Sequence, residues 1–245
     1  MLSDFASGFR YVIRGFGLIN RPGIRRYVAV PLIVNVALFA LGIWYAAAQF
    51  QTLLQWMTAH LPEWLDWLRY LLWPLFVVTV LVVVFYTFTL IANLIAAPFN
   101  ALLAERLEAQ LRGAKSERPG GIGTFFKDVL GTFGGELRKL GYLALWMIPL
   151  LILSFIPVLN LAAPFAWAVF SAWMLSIEYA DYPMGNHGMF FADERALMRR
   201  HKPLALGFGT GLMLMTFVPV LNFLAMPVGV AGATALWVDR LSQRD

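Results

Sequence analysis

The chain has 245 residues, 60% of them hydrophobic and only 13% charged. A soluble domain is nearer half apolar and a quarter charged, so this composition excludes a water-soluble globule and makes the lipid bilayer the solvent. The net charge of +5 comes with no stretch that interleaves basic and aromatic residues, which points to positive-inside loops and anionic lipid rather than nucleic acid, and the lack of cysteine removes disulfides, thiolate metal sites and cysteine nucleophiles.

Residues 3–19 place Phe5, Phe9, Val12, Ile13 and Phe16 at helical spacing, with Arg10 and Arg14 off that face. The pattern predicts an amphipathic helix lying in the membrane interface. Residues 27–50 predict the first membrane helix, because 24 residues reach ~36 Å at ~1.5 Å each, enough for a hydrocarbon core of ~30 Å. Residues 51–70 carry Trp56, Trp64 and Trp67 with Glu63, Asp66 and Arg69, and predict an interfacial loop with an aromatic belt. Residues 71–98 predict the second crossing, which continues past Pro98 as a polar helix to Arg112. The Gly- and Pro-rich residues 113–123 predict a loop. A second amphipathic helix follows over 124–140, with Phe126, Val129, Leu130, Phe133 and Leu137 on one face.

The remainder predicts two hairpins, 141–177 and 204–238, each broken by the same tetrapeptide, PVLN, at 157–160 and 219–222. Their apolar arms are 15 to 17 residues long, or ~22–26 Å of helix against a core of ~30 Å. Such arms either cross a thinned bilayer or enter part-way and turn back inside protein. Pro157 and Pro219 are expected to turn the chain, and Asn160 and Asn222 to cap the returning helices. Paired broken segments point to a transport path; the alternative is that the tips merely end packed helices.

Charge gives a topology. Five arginines precede residue 27, one lies within 51–70, seven basic residues lie within 106–139, four within 195–202 and two after 238. Placing the basic blocks in the cytoplasm puts both termini inside and the Trp-rich loop outside, and returns each hairpin to the side it left.

Three stretches carry candidate chemistry. In NRPGIRRYVAVP, residues 20–31, Asn20 suits an N-cap and Pro22 a first helical turn, so the N–H groups of Gly23 and Ile24 would face out of a helix N-terminus beside the forks of Arg25 and Arg26. Free amides and guanidinium forks at a helix start suit a tetrahedral oxyanion; the plainer reading is arginines touching lipid phosphate. In the polar helix, Glu105, Glu108 and Arg112 share a face and Arg106 lies nearby. These charges either line an inner vestibule or form a solvated face held by its own i,i+4 pair. In EYADYPMGNHG, residues 178–188, Glu178 needs a partner or water, the rest reads as a turn joining the hairpins, and His187 has no partner at ligand spacing. There is no Walker A loop, no H-E-x-x-H and no G-x-S-x-G, and no residue set suggests a metal, a cofactor or an enzyme.

The segments RPGIRRYVAVPLIVN, LIANLIAAPFNALLAERLE, EYADYPMGNHG, FIPVLNLAAP and FVPVLNFLAMP together resemble the CysZ family of bacterial inner-membrane sulfate permeases, in order and over nearly the whole chain. The resemblance implies an all-α integral membrane protein with two long transmembrane helices, two hemi-penetrating hairpins and amphipathic interfacial helices, assembled into homo-oligomers. It also implies multi-pass sulfate uptake for cysteine biosynthesis without ATP hydrolysis. The family's Gly-Leu-Arg-type sulfate turn maps onto Gly23, Ile24, Arg25 and Arg26, with Ile in the usual Leu place; the change is harmless if that residue offers only its N–H. The proposed inner pathway maps onto Glu105, Arg106, Glu108 and Arg112. The competing expectation is a membrane scaffold that transports nothing, for which the PGIRR turn would serve only as charge.

Overall fold

The computed structural model describes residues 1–60, 66–113 and 122–242. Among these, every regular element is helical: α1 (Leu2–Ile19), α2 (Arg25–His60), α3 (Asp66–Arg112), α4 (Ile122–Phe155), a 3-10 turn (Leu159–Leu161), α5 (Ala163–Gly185), α6 (Phe191–Arg200), α7 (Lys202–Thr216), α8 (Pro219–Leu236) and a terminal π turn (Trp237–Leu241). Trp64, most of the predicted 113–123 loop and the side chains assigned to the apolar face of 126–137 lie outside the described residues. Among the described residues, three helical stretches are long and apolar enough to cross a membrane: Arg25–Phe50, Arg138–Phe155 and Pro219–Leu241.

The chain forms two compact units, one of Ala29–Ala97 and one of Met1–Val28 with Pro98–Asp245. In the first, the apolar lengths of α2 and α3 meet where Phe50 stacks on Phe76, ring centroids 5.0 Å apart. Ile33, Val36, Leu41, Ile43 and Trp44 are exposed on α2, a surface that suits lipid and not water. Residues 51–60, expected in a loop, continue α2 as helix, since QTLLQWMTAH contains neither Gly nor Pro to stop it.

In the second unit α1 packs on α7 and α8, and α5 packs on the same pair. The residues of α1 that bury are Gly8, Val12, Gly15, Leu18 and Ile19. Phe5 and Ile13, on the apolar face expected to meet the membrane interface, are exposed. Small residues decide the outcome, because Gly8 lies on the Leu204 carbonyl of α7 and Gly15 on the Val228 carbonyl of α8. Gly207 meets the Phe5 backbone, Gly209 the Ala172 carbonyl of α5, and Gly232 the Tyr11 carbonyl. Backbones brought this close gain dispersion contacts, which drive helix association where lipid removes the hydrophobic term. Ion pairs add a latch between the chain ends: Arg14 pairs with Asp239, Arg240 with Asp4 at 3.3 Å, and the Tyr11 hydroxyl donates to Asp239 at 3.1 Å.

The hairpin arms are longer than their apolar runs. The amphipathic segment 124–140 and the arm 141–156 are one helix of 34 residues, and α5 has 23 residues because it carries on through the polar 178–185 stretch. The tips also differ from expectation. Pro219 opens α8 instead of lying in the turn, and neither Asn160 nor Asn222 caps a helix: Ala162 and Val218 hold those positions. The first tip turns at Val158, whose φ of +71° is rare for a β-branched residue and costs ~1–3 kcal/mol. Val158, Leu161, Phe165, Phe217, Val220 and Phe223 are all exposed at the tips, an apolar crown unsuited to water.

Candidate functional site

The turn between α1 and α2 is built by three anchors. Ile24 is fully buried and pegs the turn into the core, and its N–H donates to the Arg21 carbonyl at 3.1 Å. Gly23 takes φ +83°, a conformation glycine adopts without strain. The Arg25 Nε donates to the Asn20 carbonyl at 2.7 Å, and Gln110 of α3 donates from Nε2 to the Pro22 carbonyl at 3.1 Å. Asn20 ends α1, its side chain bonded to the Phe16 carbonyl, so it does not cap α2 as expected. The helix begins at Arg25, one turn later than the sequence suggested, and Ile24 contributes a side-chain peg with its N–H already used. Arg25 and Arg26 are both exposed, and Arg26 lies over the Tyr27 ring with its guanidinium carbon 4.9 Å from the centroid. Holding Arg25 through Nε leaves its two terminal amino groups out of that contact.

Eighty-eight positions after Pro22, the same α3 end that carries Gln110 turns its other face into a polar hub. Glu108 is 7% exposed. One of its oxygens accepts from Arg112 Nε at 2.8 Å and from Trp237 Nε1 at 3.3 Å, and both oxygens lie 3.0 Å from His187 Nε2. A carboxylate only accepts, so the His187 proton sits on Nε2. Arg112 also donates to the Ser242 hydroxyl at 2.8 Å, and Asn186 to the Ala101 carbonyl at 3.0 Å. The hub therefore joins α3, the turn after α5 and the chain's C-terminal end. Glu105 and Arg106 are half-buried on the same helix, and Arg106 Nε is buried without a hydrogen-bond partner. The expected Glu108–Arg112 pair is present; the His187 and Trp237 partners were not legible, since 79 and 129 positions separate them from Glu108.

A third cluster surrounds Lys139, which is 8% exposed. It pairs with Glu178, which supplies the partner that carboxylate needs, and with Asp181 at 3.7 Å. Burial pushes the Asp181 carboxyl above its usual 3.8, more than Lys139 pulls it down. A raised folded pKa means that Asp181's contribution to stability is complete below 3.8 and is lost as pH rises through the raised value. Asp181→Asn, which cannot ionise, is expected to melt no lower than wild type at neutral pH. Its advantage should shrink as pH falls toward about 4, as melting curves across pH would record. Among the described residues no group of three His, Asp or Glu side chains is disposed to hold a metal ion.

The model of the family described as sulfate transporter CysZ/etoposide-induced protein 2.4 matches residues 11–227 of the chain. The chain is also similar to the sulfate transporter CysZ of Pectobacterium atrosepticum, 47% identical over 235 residues that cover 96% of this chain and 85% of that protein.

Proposed function

The chain belongs to the sulfate transporter CysZ/etoposide-induced protein 2.4 family, and on that premise we propose that it passes sulfate across the bacterial inner membrane, gripping the oxyanion at the turn Gly23–Ile24–Arg25–Arg26. The observation that carries the site is two exposed arginines, one fixed through Nε, following a glycine of positive φ at the mouth of a membrane helix. A glycine amide, a helix start and two exposed guanidinium groups in sequence each favour a tetrahedral dianion. Glu105, Arg106, Glu108 and Arg112 form the inner end of the route, which lies on the helix that buttresses the turn through Gln110.

The rest of the reading follows from the same surfaces. The basic blocks keep both termini cytoplasmic. The apolar crowns on the hairpin tips are half-depth tips covered by lipid or by further copies in a homo-oligomer. The imported sulfate serves cysteine biosynthesis. Flux needs no ATP hydrolysis by this chain, and the chain performs no catalysis of its own.

Uptake of labelled sulfate into liposomes holding the purified protein tests the reading. Replacing both arginines in Arg25→Lys/Arg26→Lys keeps the charge and loses the forks, and is expected to lower sulfate affinity about tenfold. Unchanged affinity would move the site toward Glu105–Arg112. A folded wild type that passes no sulfate would leave the scaffold reading in its place.

A further inference from the structure

Along α4, Arg138, Tyr142 and Trp146 follow one another at one-turn intervals, and the apolar stretch Arg138–Phe155 begins with them. Tyrosine and tryptophan collect at the depth of lipid headgroups, so this stripe marks where the helix leaves water. Arg195 of α6 lies at that depth. Its guanidinium carbon is 5.0 Å from the centroid of the Tyr142 ring and 5.9 Å from that of Phe191. Both rings are fixed: their centroids are 5.6 Å apart, and the Tyr142 hydroxyl accepts from Trp173 Nε1 at 3.2 Å. Ring faces attract the cation, but they leave its five N–H groups needing acceptors. Among the described residues Arg195 makes no hydrogen bond and no ion pair, and its Nε is buried without a partner. The carboxylates nearby are committed elsewhere. Glu178 and Asp181 pair with Lys139, and Glu194, next in sequence, is buried and bonded to Asp181. Past Tyr142, Leu145, Ile148 and Ile152 share a face of α4, and each is more than half exposed.

We propose that Arg195, stacked on Tyr142, is the headgroup seat of a bound anionic phospholipid, with the lipid phosphate on the guanidinium and an acyl chain along Leu145, Ile148 and Ile152. A phosphodiester brings what this arginine lacks, acceptor oxygens and a negative charge, and it brings them at headgroup depth. The guanidinium fork matches phosphate geometry, and the ring beneath it holds the fork in one plane. Arg138, one turn before Tyr142, and Arg199, one turn after Arg195, are both exposed and make no ion pair among the described residues. Their field favours a headgroup of net negative charge over a zwitterionic one, whose ammonium they repel. The apolar strip excludes a free aqueous anion as the intended occupant, since it offers ~10 Å of helix to a hydrocarbon tail. The seat is built by α4 and α6 and is separate from the turn between α1 and α2, so it does not depend on where sulfate binds. A lipid held there spans two helices and stabilises their packing.

The test is native mass spectrometry of the delipidated full-length protein in mixed micelles, titrated with phosphatidylglycerol or with phosphatidylcholine of the same acyl chains. Melting temperature is followed alongside. The wild type is expected to bind phosphatidylglycerol about tenfold more tightly than phosphatidylcholine and to melt higher with it. Arg195→Gln should weaken phosphatidylglycerol about tenfold, the scale of lost hydrogen bonds to a charged group, and remove the rise in melting temperature. Arg195→Lys keeps the charge without the fork; it should weaken the lipid about threefold and stands in if the glutamine variant does not fold. Arg200→Gln removes the same charge from an exposed position on another face of α6 and should bind as wild type does. A wild type that does not distinguish the two lipids would overturn the proposal. So would an Arg200→Gln loss as large as that of Arg195→Gln, since net charge would then explain both. Displacement of the lipid by an equal concentration of inorganic phosphate would make this a site for a free anion. If Arg195→Gln turned an oligomer into monomers with lipid binding unchanged, the occupant would be a second copy of the chain. Either result sinks the lipid assignment.

Discussion

Gly209→Ala is expected to cost about 3 kcal/mol and to shift most of the protein from the folded peak to aggregate on size exclusion in mild detergent. A β-carbon there would fall well inside the Ala172 carbonyl oxygen and close to its Cα, and neither atom belongs to a side chain that can rotate away. The helices α5 and α7 would have to separate, and α7 carries α1 through the Gly8 and Gly207 contacts. Gly207→Ala meets the Phe5 backbone and should behave alike. Gly17→Ala is the control: nothing stands near its β-carbon, so the exposed helix position should gain about 0.5–1 kcal/mol from the better helix former. If Gly209→Ala and Gly17→Ala melted together, the close-packed helix trio would be refuted.

Glu108→Ala is the second large effect. It strips Arg112, His187 and Trp237 of a common acceptor in a site where the carboxylate is almost wholly buried. Breaking a buried pair from one side costs about 3–5 kcal/mol, and the half-exposed Arg112 and His187 recover part of that from water, so a loss of about 2–3 kcal/mol is expected. Sulfate flux should fall with it, because the hub ties the turn's buttress to the C-terminal end. A double-mutant cycle between Glu108→Ala and His187→Ala should show a coupling of about 1 kcal/mol in melting free energy. Additive losses would show that His187 merely lies beside the carboxylate.

Much of the fold was legible because lipid makes hydropathy and length nearly sufficient. The long apolar helix after residue 25, the polar extension past Pro98 and the helix breaks at the two PVLN motifs follow from runs of apolar residues and from the prolines that interrupt them. The faces were not legible in the same way. In α1 the apolar face with Phe5 and Ile13 was expected at the membrane interface, and nothing in the pattern marked Gly8 and Gly15 as the seats on α7 and α8, where two backbones come into contact. Helix ends misled for a related reason. Hydropathy ended the first hairpin's returning arm at 177, yet α5 reaches Gly185, since its polar last turns are held by Lys139 from α4. At the turn, the identity of the anchors was hidden by distance in sequence: Gln110 lies far from Pro22, and Ile24 looks from sequence like one more apolar residue.

The latch between the chain ends has a consequence for how the protein is made. Arg14 leaves the ribosome 225 positions before Asp239, its partner, and the glycine seats of α1 lie on α7 and α8. At ~5–20 residues per second, α1 waits roughly ten to forty seconds for the surface it fits. During that interval its aromatic face, with Phe5 and Ile13, and its arginines can hold it at the membrane surface. The last helix to be synthesised seats the first, so assembly closes as a ring in time, and a product cut short before residue 202 carries an amino-terminal helix with nowhere to dock.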